Sequence, residues 1–333
     1  MASTVNLAFD IFMKDFVRLD NERNKVAKNS KDYLISEIKK FPNDGKFLDF
    51  YPDNMRLDYG SFYRKTKIRP LDDIDIMIIL HANGNWREQN INGFTIHVPQ
   101  TATKQLELCN QGTNILNSIK VVNKFKEYLG KISSYKKADI KRNQEAVTLE
   151  LNSYEWVYDI VPAFQTTQDI LGNTFFLIPD GKGNWKPTNP RIDKERTRNI
   201  NSKHNISVLD IIRIIKYWTN RPTAPTMGSY FLENLILNYY NSAGIISSNY
   251  IDRELPKIFA YIYSNVLHDF NDPKGFQGNI NNQNYEDRIS VQERARKDYH
   301  LAKEAIAFED LNNHKESINK WREIFGFNFP EYN

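Results

Sequence analysis

Residues 60–80, GSFYRKTKIRPLDDIDIMIIL, contain the features that decide the fold. They begin with a Gly60-Ser61 turn, whose backbone N–H groups and hydroxyl can form a nest for an anion such as a phosphate. Asp73 and Asp75 follow, two positions apart in a β-rich run, so their carboxylates share one face of a strand. Neighbouring carboxylates repel each other unless a cation lies between them, and hard oxygen ligands suit Mg²⁺. The stretch therefore predicts a phosphate nest close to a magnesium-binding acidic pair.

A third carboxylate is expected on a neighbouring strand, because a pair of metal ions needs more ligands than two acids supply. Asp159 is a lone acid in an apolar strand pattern, EWVYDIVPAF at 155–164. Its alternative role is to cap the turn before Pro162. We favour the metal role because Asp73 and Asp75 already open an apolar strand, where an unpaired charge is costly.

Three residues in the second half of the chain are candidates for binding a nucleoside triphosphate. Lys216 flanks the apolar stripe of a helix, where it is either a solvated lysine or a point charge for phosphates. Ser229 and Tyr230 follow a stretch rich in Pro and Gly, within RPTAPTMGSYFLE at 221–233. Ser229 either only caps a helix, or the same helix N-terminus also binds a phosphate while a base stacks on Tyr230.

The composition is that of an ordinary globular protein. The chain has 333 residues, of which 40% are hydrophobic and 26% charged, and its net charge is +4. This small surplus of positive charge fits an anionic ligand without requiring nucleic acid. Cys109 is the single cysteine, which excludes an intramolecular disulfide and favours a reducing compartment. The N-terminus has no basic leader and no apolar run approaches ~20 residues, so we expect neither a signal peptide nor a membrane segment.

The hydrophobic pattern divides the chain into a mixed first part and a helical second part. The regular segments have helical periodicity at 4–40 and 114–131 and strand-like patterns at 73–80, 146–151 and 155–164. We interpret the Asn- and Gly-rich residues 83–95 as a loop and residues 180–200 as a linker. After Ser207 the pattern is almost entirely helical. We therefore predict an α+β protein, with N-terminal helices and a core at 1–205 and a C-terminal helical domain at 206–333.

Together these residues resemble the signature of the DNA polymerase β-type nucleotidyltransferase superfamily. That signature is a hydrophobic-Gly-Ser turn, a spacer of similar length, an Asp-hydrophobic-Asp pair and a later Asp on a neighbouring strand. Within the superfamily the chain is similar to bacterial CD-NTases, relatives of animal cyclic GMP-AMP synthase and oligoadenylate synthase. Further matches are YDIVPAF around Asp159, NWKPTNP at 184–190, IIRIIKYWTNR around Lys216, SYFLE at 229–233 and a Trp-x-x-Ile-Phe-Gly pattern at 321–326. The resemblance spans the chain from roughly residue 45 to its end.

The resemblance implies a polymerase β-like core with a mixed sheet, a C-terminal helical domain, and an active site in the cleft between them. The catalytic residues, which would hold two Mg²⁺ ions that Mn²⁺ can replace, would be Asp73, Asp75 and Asp159. The donor nucleotide would be held by Gly60, Ser61, Lys216, Ser229 and Tyr230, the last by stacking on the base.

The resemblance also implies a function. The protein would be a cytoplasmic enzyme that joins NTPs into a cyclic di- or trinucleotide and releases pyrophosphate. The product would be a second messenger in anti-phage defence and would act on a separate effector protein. The zinc-binding insertion of the animal DNA sensor is absent, so we expect no obligatory nucleic acid. We also expect a monomer without a membrane partner. Two alternatives remain: a nucleotidyltransferase that modifies RNA or protein, and a catalytically inactive nucleotide-binding scaffold.

Overall fold

The computed structural model describes residues 2–91, 93–222 and 225–333. The chain divides into two compact units. The sheet unit comprises Asn21–Tyr63 and Pro70–Arg191, and the helical unit comprises Met1–Asp20, Arg64–Arg69 and Ile192–Asn333. In the described ranges, no helix combines the length and the apolar character that crossing a membrane requires.

The sheet unit is built on one mixed sheet. Its strands β1 to β9 are, in chain order, Arg56–Asp58, Asp73–Leu80, Trp86–Asn90, Gly93–His97, Asp139–Asn143, Ala146–Glu150, Val157–Gln165, Phe176–Pro179 and Trp185–Thr188. Their spatial order is β1-β2-β7-β8-β9-β4-β3, and the β5–β6 hairpin also joins β7 through β6. β2 and β7 run parallel, whereas their other neighbours are antiparallel. The mixed sheet confirms the predicted fold class.

Helices also occur in the sheet unit, and they make up nearly all of the helical unit. Helices α1 to α11 are, in chain order, Val5–Phe12, Asn21–Ile38, Gly60–Tyr63, Thr103–Leu106, Ser118–Lys131, Pro190–Asn201, Val208–Thr219, Ser229–Asn241, Ile251–Asn265, Tyr285–Asp310 and His314–Phe325. The predicted strands at 73–80, 146–151 and 155–164 correspond to β2, β6 and β7. The predicted helices at 4–40 and 114–131 correspond to α1 with α2 and to α5.

The division into units differs from the predicted boundary after residue 205. Helix α1 belongs to the helical unit because its aromatic side chains pack against the C-terminal end of the chain. The Phe9 ring lies 5.0 Å from the Trp321 ring and 4.9 Å from the Phe329 ring, both in edge-to-face geometry. The Phe12 ring lies 5.3 Å from the Phe325 ring. Burial of these aromatic rings holds the N-terminal helix in a core to which it is not adjacent in sequence.

Two segments that the sequence predicts to be irregular have regular structure. Residues 83–95 contain β3 and β4, which pair antiparallel; Asn92 lies outside the described residues. Every residue of β3 is exposed, so this strand lacks the alternating pattern by which a half-buried strand is recognised. Residues 180–200 contain β9 and most of α6 instead of a linker. Trp185 anchors β9 because it is fully buried and its indole N–H donates to the Leu116 carbonyl at 3.1 Å.

Two neighbouring acids of the helical unit, Asp252 and Glu309, bind protons more tightly than ordinary carboxylates do. Asp252 of α9 is almost fully buried, and Glu309 of α10 lies beside it. Arg253 bridges them, with 3.0 Å from its Nε to Asp252 Oδ2 and 3.4 Å from its Nη2 to Glu309 Oε2. Burial and the neighbouring Asp252 raise the pKa of Glu309 from 4.5 to about 7. Close to neutral pH the pair therefore shares a proton.

We expect this pair to make the protein more stable as the pH falls from 8 to 5.5. A carboxyl group whose pKa is raised by folding binds its proton more tightly in the folded state, so folding gains free energy between pH 7 and 4.5. Solvent screening limits the gain to about 1 kcal/mol. Urea denaturation at several pH values should show that Glu309→Gln removes this increment. Glu286→Gln, which removes an exposed carboxylate from the same helix, is the control, and an identical pH profile for Glu309→Gln and wild type would contradict the assignment.

Candidate active site

The three predicted metal ligands lie on the two parallel strands of the sheet unit. Asp73 and Asp75 lie on β2 and Asp159 lies on β7, and the register places Asp75 directly opposite Asp159. Residues opposite each other on paired strands project to the same face, as do residues two positions apart on one strand. The three carboxylates therefore share one face of the sheet, near the amino ends of β2 and β7.

This face carries an excess of negative charge. Burial, Asp73 and Glu145 together raise the pKa of Asp159 to about 6. Its Oδ1 is buried, and no hydrogen-bond partner for this atom occurs within the described parts of the chain. Burial and the same group of carboxylates, Asp75 first among them, also raise the pKa of the Tyr59 hydroxyl well above its usual range. A bound cation would relieve this repulsion.

The residues present fit a magnesium ion by their chemistry. Carboxylate oxygens are the ligands Mg²⁺ prefers, and the buried Oδ1 of Asp159 would gain a partner. As the side chains stand, however, no group of three or more His, Cys, Asp or Glu residues in the described ranges is arranged to hold a metal ion. The acids thus share a face without forming a ready ligand set, and their metal role stays a prediction.

The Gly-Ser turn lies against this acidic face. Gly60 begins the short helix α3 with a φ of +73°, and a Cβ at this position would lie 1.7 Å from Asp75 Oδ2. Only glycine leaves room for the carboxylate, and only glycine adopts this backbone conformation without strain. The structure therefore brings Gly60 against Asp75. The phosphate-binding role of Gly60 and Ser61 stays a prediction.

We expect Gly60→Ala to reduce activity at least tenfold. The new methyl group overlaps the Asp75 carboxylate, so the acid must move. Gly45→Ala is a matched control, because Gly45 has the same φ of +73° but nothing within 4 Å of its added Cβ. Both variants should lose roughly 1–2 kcal/mol of stability for the left-handed backbone. Steady-state turnover with NTPs would show the difference in activity between Gly60→Ala and Gly45→Ala. Equal activities of the two variants would show that the Gly60 turn is not part of the active site.

Glu145 is a further acid of this face that the sequence analysis missed. A cavity of about 200 Å³ beside the acids is lined by Tyr59, Asp75, Glu145 and Asp159. Glu145 lies in the β5–β6 turn, and its carboxylate is 3.3 Å from the Lys186 ammonium. The sequence around Glu145 contains no recognisable motif. The pairing of β6 with β7, which places Thr148 opposite Asp159, brings the turn to the site.

Lys216 is not a solvated lysine, so that alternative is wrong. It is only 4% exposed, and its ammonium donates a hydrogen bond to the Glu233 carboxylate of α8. Arg64 donates to the same carboxylate through Nε and Nη2, at 3.1 and 2.9 Å. Burial lowers the pKa of Lys216, and the two cations keep the pKa of Glu233 below its usual range despite burial. Two cations share one carboxylate, so this buried cluster retains a positive charge.

Tyr230 is held by a second polar network of the helical unit. Helix α8 begins at Ser229 with Gly228 as its N-cap, so Ser229 does not act as the cap. The Tyr230 hydroxyl oxygen lies 2.8 Å from Asp193 Oδ1 and 2.9 Å from Asp272 Oδ1. Burial and these acids raise the pKa of the Tyr230 hydroxyl, which keeps it protonated as a donor.

Lys274 completes this network, which the sequence analysis did not foresee. Its ammonium is 3.2 Å from Asp193 Oδ2 and 4.2 Å from the centre of the Tyr230 ring. The hydrogen bonds of its hydroxyl thus orient the Tyr230 ring, and the Lys274 ammonium covers one face of it. These contacts hold the aromatic ring in one position. The structure places Gly60, Ser61 and the three acids in the sheet unit, and Lys216, Ser229 and Tyr230 in the helical unit.

Comparisons with known proteins give a consistent result. A probable cyclic nucleotide synthase of Bacillus cereus (strain VD146) is 42% identical over 335 residues, which cover 100% of this chain and 99% of the relative. The E. coli MS115-1 CdnC structure with HORMA-deltaN matches at 14% identity with a TM-score of 0.69, over 98% of both chains. GTP-bound DncV of Vibrio cholerae matches at 13% identity with a TM-score of 0.57, over 83% of this chain and 69% of that one. No family model matches.

Proposed function

Because the chain belongs to the CD-NTase family of cyclic nucleotide synthases, we propose that it joins two or three NTPs into a cyclic di- or trinucleotide and releases pyrophosphate. The observation that carries the proposal is the register of Asp75 against Asp159 on parallel strands, with Gly60 packed on Asp75. This arrangement puts a candidate phosphate nest beside three carboxylates. Such a site suits in-line attack of a hydroxyl on an α-phosphate.

Each residue has a role in this proposal. Asp73, Asp75 and Asp159 would hold Mg²⁺, which would neutralise charge on the attacking hydroxyl and on the leaving pyrophosphate. The backbone N–H groups of Gly60 and Ser61 would hold phosphate oxygens of the donor.

The helical unit would supply charge and a base platform. The Arg64–Glu233–Lys216 cluster keeps a net positive charge, which would attract the triphosphate of the donor. The N-terminus of α8 at Ser229 would add backbone N–H groups. Tyr230, whose hydroxyl is oriented by Asp193 and Asp272, would stack on the donor base.

The product would serve as a second messenger that acts on a separate effector protein in anti-phage defence, and the enzyme would work in the cytoplasm as a monomer. The CdnC structure contains HORMA-deltaN as a protein partner. A regulatory protein partner is therefore a second possibility for this chain, whose net charge of +4 does not favour duplex nucleic acid as the activator.

We expect the purified protein to make product without DNA or RNA. The assay uses nuclease-treated protein, Mg²⁺ and all four NTPs, with and without added duplex DNA and RNA, and identifies products by mass spectrometry. A cyclic oligonucleotide in every reaction, at similar rates, is the expected result. Product formation only with added nucleic acid would contradict the expectation that the enzyme works without nucleic acid. Nucleotides attached to a macromolecule instead of a small product would support the alternative transferase.

A further inference from the structure

A second cavity lies in the sheet unit at the opposite ends of the same two strands. β2 and β7 carry the acids near their amino ends, and the chain continues past their carboxyl ends into a cavity of about 390 Å³. This volume falls within the roughly 300–1,000 Å³ of small-molecule sites. In open α/β sheets, ligands bind in the crevice outside the carboxyl ends of the parallel strands.

An unpartnered amide marks the wall of this cavity. Asn85 lines it, and both polar atoms of the Asn85 side chain are buried without a hydrogen-bond partner in the ranges that the structure describes. Burying a donor and an acceptor without partners destabilises the folded state, and an apolar side chain of similar size would avoid this cost. The amide therefore points to a bound group that presents an acceptor and a donor side by side.

Asn85 is followed in the chain by an aromatic residue and a cation that also line the cavity. Trp86 also lines the cavity; it is 52% exposed, and one face of its indole stacks on His97 with 5.2 Å between ring centres. Exposed tryptophan is unusual, and a ring supported on one face is a rigid platform for a second ring on the other. Arg87, a further lining residue, holds its guanidinium 5.1 Å from the centre of the Phe175 ring.

We propose that this cavity binds an adenine nucleotide at a site separate from the acidic face. The carboxamide of asparagine matches the edge of adenine, donating to N7 and accepting from N6. Trp86 stacks on the base, as aromatic side chains do in nucleotide recognition. Arg87 supplies a positive charge for the phosphate. Only residues of the sheet unit take part, so the inference does not depend on the proposed catalytic function.

The test follows AMP binding by nuclear magnetic resonance in EDTA, without NTPs. The chain has five tryptophans, and the signal missing from Trp86→Phe identifies the Trp86 indole N–H. We expect AMP to shift this signal, while ribose 5-phosphate, which lacks a base, does not. Asn85→Leu should weaken AMP binding about tenfold or more and keep or raise the melting temperature, because it removes an unpartnered amide.

The control is Asn152→Leu, which removes an exposed amide of the same unit and should leave AMP affinity unchanged. A Trp86 signal that does not move with millimolar AMP would overturn the proposal. So would equal AMP affinity in Asn85→Leu and wild type, or a melting temperature that Asn85→Leu lowers by several degrees. Because no NTP is turned over, a negative result here leaves the proposed synthase activity to be judged by its own assay.

Discussion

Asp75→Asn lowers the rate of pyrophosphate release from NTPs by at least about a hundredfold while the protein stays folded. The substitution keeps the shape of the side chain and removes the charge that would hold a metal ion, and metal ions supply several kcal/mol of charge stabilisation in phosphoryl transfer. Asp73→Asn and Asp159→Asn should give the same result, because these carboxylates share the face of the sheet with Asp75. The measurement is steady-state pyrophosphate release at saturating NTP and Mg²⁺.

The control for the three acids is Asp139→Asn, an exposed acid of β5 in the same sheet. It should keep wild-type turnover. Circular dichroism and thermal melting in EDTA should show no loss of stability in the three site variants, since each one removes charge from a face where like charges repel. Near-wild-type turnover in any one variant would contradict the metal role of that residue.

Glu233→Ala destabilises the protein by about 3–5 kcal/mol, the usual cost of removing one partner from a buried ionic cluster. Arg64 and Lys216 would then be buried cations without their shared carboxylate. Urea denaturation measures the loss. Glu233→Gln should cost less, because the amide oxygen can still accept one of the hydrogen bonds.

Glu304→Ala is the matched control for Glu233. Glu304 pairs with Lys320 at 2.9 Å, but its side chain is 55% exposed. An exposed pair contributes about 0–1 kcal/mol, so this variant should remain close to wild type. Equal losses in the two alanine variants would show that the buried cluster has no special importance for the stability of the helical unit.

The acidic strands could be predicted from sequence, whereas most of their surroundings could not. β2 and β7 are recognisable because Asp73, Asp75 and Asp159 interrupt otherwise apolar runs. The sequence alone does not reveal the register that places Asp75 against Asp159, since strand pairing depends on the whole sheet. Glu145 reaches the site through the same pairing, and no local sequence pattern distinguishes it from the other acids of the chain.

In the helical unit, too, the sequence alone does not predict contacts between side chains that are far apart in the chain. Lys216 looks like the edge of an amphipathic helix, and only the position of Glu233 on α8 explains why it is buried. The network of Asp193, Asp272 and Lys274 around Tyr230 joins three separate segments. Local periodicity predicts the helices but carries no information about these contacts.

The most direct test of the account follows the fate of the α-phosphate. Purified protein is incubated with α-³²P-labelled NTPs and Mg²⁺, treated with phosphatase, and the remaining label is separated by size. A cyclic product has no terminal phosphate, so we predict phosphatase-resistant label in a small molecule with wild type and none with Asp75→Asn. Complete conversion of the label to inorganic phosphate in the wild-type reaction would contradict cyclic nucleotide synthesis.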